Sequence, residues 1–242
     1  MRVMVEVATA ATELDWRWVH APGRGIIYNL LSRAAPLLAT VLHDKGWGPY
    51  RMRPIGYGAP LFPYAGRRKG TYAVGGPGLV EFGSPVESIA EVLAEEISRQ
   101  RYLDWGGVEF HVTRVGVLEP PSFSDGRARM RTRTPVLMKG RDGYGRSPAR
   151  EGWLLPNEPG FSEYFVRNLT RKAETLGLEP DIRLTSILGV GPKRSFSVGR
   201  GAKPGATIDV ELEGDPDILR ALWSWGLGQS NSADFGWVAA TE

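Results

Sequence analysis

The chain opens on an alternating stretch, Arg2-Val3-Met4-Val5-Glu6-Val7-Ala8, and period-two alternation predicts a strand with one buried face. Helices are expected next, one through Tyr28 and one through His43, the second started by Pro36 and stopped by Gly46. Strands follow around 50–57 and 69–74. Apolar residues Val86, Ile89, Ala90, Leu93 and Ile97 recur at helical spacing, which predicts a helix over 84–100. Ser84-Pro85 is read as its N-cap and first position, with Glu87 three residues after the cap. Val108, Phe110 and Val112 alternate again and close a β-α-β-β-α-β order.

Glu119-Pro120-Pro121-Ser122 reads as a linker. Beyond it the order returns. A strand is predicted over 127–136, a helix over 162–176 stopped at Gly177, strands over 182–188 and 206–212, a helix from Pro216 and a strand from Trp237. The stretches 140–148 and 199–205 read as loops. The expected fold class is therefore α+β, with two tandem ferredoxin-like (RRM-like) domains at 1–119 and 123–242. The two halves share no residue-level repeat.

Composition changes this picture little. The chain has 242 residues, with 42% hydrophobic and 24% charged, ordinary for a soluble globular protein with two small cores. It has no cysteine, which removes disulfides, thiolate nucleophiles and thiolate metal sites. No run approaches the roughly 18 apolar residues of a membrane span, so a cytoplasmic protein without a membrane partner is expected. The acids do not cluster as a ligand set, and no metal or cofactor is expected.

Charge is more informative by position than by sum. The formal net charge is +3, yet residues 126–150 hold Arg127, Arg129, Arg131, Arg133, Lys139, Arg141, Arg146 and Arg150 against one acid, Asp142. Period two puts the first four arginines on one strand face, where like charges repel unless an anion lies there. A phosphate backbone would relieve the cost; so would acids on a neighbouring strand. Tyr144, between two glycines, can stack on a base, and Arg67-Arg68 sits in a basic hairpin tip.

The late run Gly226-Leu227-Gly228-Gln229-Ser230-Asn231-Ser232-Ala233-Asp234-Phe235-Gly236 leaves the backbone nearly bare. Such a loop can bring N–H groups against phosphate, with Gly226, Gly228, Ser230, Asn231, Ser232 and Gly236 as contacts. A plain turn into the last strand is the alternative. Of three histidines, His43 is the best proton-transfer candidate, because the end of a helix favours its protonated form. His20 lies in a loop before the first helix, and His111 faces away from the Val108, Phe110, Val112 set.

The helical Tyr28, the Leu42-His43 pair, the Pro135-Val136 dipeptide and the late Gly-x-Gly-x-x-Asn-Ser-x-x-Phe-Gly loop, in this order, resemble the repeat-RNA endoribonuclease family of CRISPR systems, in the RAMP superfamily. The resemblance covers about Met1 to Val238. It implies two ferredoxin-like domains and metal-independent cleavage of CRISPR precursor RNA within repeats. The 2′-hydroxyl attacks the adjacent phosphate and leaves a 2′,3′-cyclic phosphate. By the same resemblance His43 and Tyr28 are catalytic. The family's phosphate-stabilising lysine falls to Lys45, which comes earlier than the family spacing; Arg51 and Arg53 are alternatives for that role and otherwise RNA contacts. The implied partner is repeat RNA, with a place in a CRISPR effector complex as a further implication. The competing reading is a RAMP-type subunit that binds guide RNA without cutting it.

Overall fold

A computed structural model of the chain describes residues 1–66, 69–141, 151–198 and 201–239. The first half contains β1 (Arg2–Thr9), β2 (Glu13–Leu14), α1 (Pro22–Ala34), α2 (Pro36–Thr40), β3 (Gly56–Tyr57), β4 (Tyr72–Ala73), β5 (Gly76–Gly83), α3 (Glu87–Ser98), β6 (Tyr102–Asp104) and β7 (Glu109–Leu118). Its main sheet runs β3-β5-β1-β7-β6, antiparallel throughout. Without the β6 edge, this is the ferredoxin-like order, with β1 central. Val3, Val5 and Val7 alternate inward from β1 and meet Ile27 and Leu31 of α1 and Ile89, Leu93 and Ile97 of α3 in one core.

The second half contains β8 (Arg127–Arg131), β9 (Met138–Arg141), β10 (Glu151–Leu154), α4 (Phe161–Thr175), β11 (Ile182–Val190), β12 (Arg194–Val198), β13 (Gly201–Gly205), β14 (Ile208–Gly214) and α5 (Pro216–Trp225). The sheet order β11-β14-β8 repeats the first half. The expected strand from Trp237 is reduced to a bridge between Thr132 and Val238, flanked by Arg133 N–H to the Trp237 carbonyl and Ala239 N–H to the Arg131 carbonyl, both 2.7 Å. The two β-α-β-β-α-β halves are thus present, the second with a vestigial last strand.

Three other expectations shift. The helix expected from Ser84 begins at Glu87, because Val86 stays extended and the Ser84 hydroxyl accepts from its N–H at 3.0 Å. The strand expected over 69–74 contracts to β4, which pairs only with β2. Its place in the main sheet belongs to β5, hidden in the sequence by Gly76, Pro77, Gly78 and Gly83. Residues 201–205, expected as loop, form a strand paired with β12.

Tryptophans and glycines close the junction between the halves. A Cβ on Gly83 would strike the Ser224 carbonyl and the Trp237 ring, so only glycine lets the β5 end approach α5. Arg2 is wholly buried there, between the Trp223 and Trp237 rings at 4.0 and 4.2 Å. It donates to the carbonyls of Trp223 and Val238. Burial lowers its guanidinium to about 9, and the stacked rings and carbonyls offset that cost. Glu81 on β5 accepts from Arg133 at 2.7 Å and from the Trp237 indole at 2.8 Å.

Candidate active site

Tyr28, His43 and Arg53 come together on the first half. Pro36 breaks the helix after Ala34 and starts α2, so α1 and α2 form a bent pair. The chain then makes one wide π-type turn, Val41–Lys45, closed by Gly46 N–H on the Val41 carbonyl at 2.8 Å. Leu42 in that turn is fully buried, which turns its neighbour His43 outward. The rings of Tyr28 and His43 meet edge to face, 5.4 Å between centroids. His43 Nδ1 bonds the Asp44 carboxylate at 2.7 Å, and both side chains are about 60% exposed. Nε2 is left for a ligand.

Arg53 reaches the same place from the other side. It donates to the His43 carbonyl at 2.6 Å. Its own carbonyl accepts from the Trp225 indole of α5 at 2.9 Å, so the second half helps to fix it. The Tyr28 hydroxyl and Arg53 Nε are buried atoms without a closed hydrogen bond. Burial pushes the Tyr28 phenol above its ordinary value, and the opposing pull of Arg53 and Arg24 does not reverse this. Burial thus favours the protonated phenol at this site. Lys45 is exposed, and among the described residues the cation in contact with His43 is Arg53. Arg51 is exposed with φ +50, in the tight loop that returns from Gly46.

The arginine strand is arranged differently from the expectation. Arg127, Arg129 and Arg131 do share the exposed face of β8, with Ala128 and Met130 inward. Opposite them in register stand Glu213, Glu211 and Asp209 of β14. Arg129 grips both Asp209 oxygens, at 3.0 and 2.7 Å, and holds that carboxyl below its usual value. Arg133 leaves the row and turns into the junction toward Glu81. The anion that the like-charge argument demanded is supplied by protein acids.

The late loop is also corrected. Gly226, Gly228, Asn231 and Gly236 are buried, not an open phosphate cradle. A Cβ on Gly228 (φ +69) would lie 2.6 Å from the Val136 side chain, and one on Gly236 (φ +65) would collide with the Leu227 carbonyl. Asn231 donates to the Leu227 and Phe235 carbonyls and accepts at 2.6 Å from Lys172. Lys172 is fully enclosed on the inner face of α4, and burial pushes its ammonium well below the usual lysine value. Ser230 and Ser232 stay half-exposed.

Beside that loop a groove of about 430 Å³ is lined by Lys139, Tyr164, Arg167, Arg171 and Gln229. Arg171 lies over the exposed Tyr50 ring at 5.3 Å, in the loop that follows the His43 turn. Lys139 was expected from sequence; Arg167 and Arg171 were not, although their i, i+4 spacing on α4 puts them on one face. Tyr144, Arg146, Arg150 and the Arg67-Arg68 pair lie outside the described residues, as does the Arg141 side chain. No described group of three or more His, Cys, Asp or Glu could hold a metal ion, and no described helix is long and apolar enough to cross a membrane.

Known proteins share both the sequence pattern and the fold. The chain is 25% identical over 231 residues to the CRISPR-associated endoribonuclease Cas6 1 of Methanocaldococcus jannaschii, covering 89% of this chain and 83% of that one. Among solved structures it superposes on a RAMP protein described as binding different RNA substrates, with TM-score 0.81 at 16% identity over the full length of both. A Cas6-related protein from Pyrococcus furiosus gives 0.78 at 13% identity, over all of this chain and 98% of that one. The family model for the C-terminal part of the CRISPR-associated protein Cas6 matches residues 118–240, about half of the chain. The chain belongs to the CRISPR-associated Cas6 family.

Proposed function

We propose that the chain is a metal-independent endoribonuclease that cuts CRISPR precursor RNA within its repeats. The observation that carries this reading is the convergence of Tyr28, His43 and Arg53 at one exposed turn, in a chain of the Cas6 family. The 2′-hydroxyl attacks the neighbouring phosphorus, and its proton passes to water. His43, its Nδ1 held by Asp44, gives a proton from Nε2 to the departing 5′-oxygen. Arg53 offsets the charge that grows on the phosphorane, and the unpartnered Tyr28 hydroxyl donates to a non-bridging oxygen. The products are a 2′,3′-cyclic phosphate and a 5′-hydroxyl. A phenol, an imidazole and a guanidinium with one carboxylate suit an anion better than a divalent cation. The groove of Lys139, Arg167 and Arg171 holds the flanking strand through its phosphates.

Single-turnover cleavage of repeat RNA in EDTA tests this. Cutting at an unchanged rate is expected, with loss by about 10²- to 10⁴-fold in His43→Ala and RNA affinity nearly unchanged. Cleavage that requires added magnesium defeats the metal-independent mechanism. Full activity in His43→Ala defeats the site. Tight binding of repeat RNA with no cleavage by the unaltered chain leaves the guide-RNA-binding subunit as the correct reading.

A further inference from the structure

Arg53 lies in an irregular stretch between the His43 turn and β3, so its backbone is placed by individual contacts rather than by a helix or strand. Its carbonyl accepts from two donors, the Ile55 N–H at 2.8 Å and the Trp225 indole at 2.9 Å. Both lone pairs are thus used. The first bond is local and moves with the stretch. The second joins residues 172 apart and reaches Arg53 from the other half of the molecule. A Cβ on Gly56 would lie 2.4 Å from the Trp225 carbonyl, so only glycine lets this segment meet the end of α5 so closely.

Trp225 is itself gripped. It is the last residue of α5 and is buried. Lys172 Nζ from α4 lies 4.6 Å from its ring centre. The same ammonium donates to the carbonyl of the next residue, Gly226, at 2.5 Å and to the Asn231 side chain at 2.6 Å. Gly226 takes φ +98, and a Cβ there would lie 2.9 Å from the Asn231 amide nitrogen. Lys172 and Asn231 are both buried, so this part of the late loop faces protein rather than RNA. What it fixes is the exit of α5, and with it the direction of the indole N–H. A guanidinium that balances charge on a phosphorane must already stand in place, because a misplacement near 1 Å costs about 10²-fold in rate.

We infer that Trp225 is the positioning residue for Arg53, and that Lys172 and Asn231 hold its indole on the Arg53 carbonyl. Arg53 meets the reacting phosphate; Trp225 acts only through Arg53. The inference rests on the repeat-RNA reading above. It gives the late loop a part in the cleavage step that needs no contact with RNA.

The test is a double-mutant cycle on single-turnover cleavage of repeat RNA at saturation, with RNA affinity measured on the same proteins. Trp225→Phe keeps an aromatic ring in the slot and removes the indole N–H. It should cut about 10- to 100-fold more slowly, with RNA affinity nearly unchanged. In an Arg53→Ala background the same change should add nothing, because its route to the phosphate is gone. A general loosening of the fold would slow both backgrounds alike. Benzothienylalanine in place of Trp225 keeps the bicyclic ring and lacks only the N–H donor, so it carries the test if Trp225→Phe does not fold. Its rate should fall in the same way. A rate equal to that of the unaltered chain in either folded replacement, beside a slow Arg53→Ala, overturns the positioning role and leaves the His43 site standing. Equal slowing in both backgrounds overturns it as well. Full activity of Arg53→Ala removes Arg53 from the reaction and the inference with it. No cleavage by the unaltered chain overturns both readings.

Discussion

Two histidines of this chain bond a carboxylate at almost the same distance, 2.7 Å for His43 with Asp44 and 2.6 Å for His20 with Asp234. Their surroundings are opposite. The first pair joins sequence neighbours and sits in water; the second joins residues 214 apart and is largely enclosed. An exposed pair contributes little to stability, because water competes for both groups. Its exposure leaves Nε2 open to a substrate while Asp44 orients the ring through Nδ1, the arrangement a proton donor needs. A buried pair has already lost its water, so removing one member leaves a stranded polar group. Burial raises the Asp234 carboxyl, and the His20 bond opposes that shift. The first geometry suits a reacting group, and the second suits a fixed one.

The largest expected effects separate the pairs along different axes. His43→Ala should abolish most cleavage, by about 10²- to 10⁴-fold, with a melting temperature close to that of the unaltered chain. Asp234→Ala should do the reverse. Breaking a buried pair costs about 3–5 kcal/mol, which in a chain of this size lowers Tm by roughly 6–20 °C. The folded fraction should still cut RNA at the His43 turn. Thermal melting and single-turnover cleavage on the same two variants decide this. A stable Asp234→Ala protein, or a His43→Ala protein that melts early, would erase the distinction.

The cations near His43 give a smaller contrast of the same kind. Arg53 is fixed by the His43 carbonyl and, through its own carbonyl, by Trp225. Lys45 is exposed. Loss of a preorganised donor to a developing oxyanion costs about 10²- to 10³-fold in rate, and that is expected for Arg53→Ala. Lys45→Ala should cost less than about tenfold, through screening-sensitive attraction of the RNA alone. Equal losses in the two variants, measured at saturating RNA, would return the phosphate-stabilising role to Lys45.

The sequence was most legible where local pattern and final environment agree. Val3, Val5 and Val7 announce β1, and Ile89, Leu93 and Ile97 announce α3, because each set faces a core that one period can describe. β5 was not legible, because its glycines serve a neighbour rather than the strand. Gly78 makes room for Phe62 and Gly83 for α5, and neither partner is visible from the local window. The same reason explains the late loop. Its glycines looked bare for a ligand, yet the space beside them is filled by Val136, Leu227 and Gly236. Tyr28 and His43 could be named from motif order, whereas the contact of Arg53 with the His43 carbonyl shows only in the structure. Asp234 gave no signal at all, since its partner stands at the other end of the chain.

The smallest expected effect concerns β8, whose arginines extend the comparison to a third class of pair. Arg129 and Asp209 are bonded through two contacts, yet the arginine side chain is 65% exposed. By exposure alone Arg129 resembles His43 and could trade its carboxylate for a phosphate. The rest of the face opposes this. Glu211 and Glu213 stand in the same row, so a phosphate placed over Arg129 would meet three carboxylates of β14 as well as three arginines of β8. Such a row is close to neutral and lacks the excess positive charge that releases counterions from RNA. Arg129→Ala should therefore leave the slope of log affinity against log salt nearly unchanged, and Arg171→Ala in the α4 groove should reduce its magnitude by about 0.7, the value for one contact to single-stranded RNA. A fall of about 0.7 in Arg129→Ala would show that phosphate displaces Asp209 on binding. Exposure would then govern availability for charge pairs in general, and the acids of β14 would be no barrier.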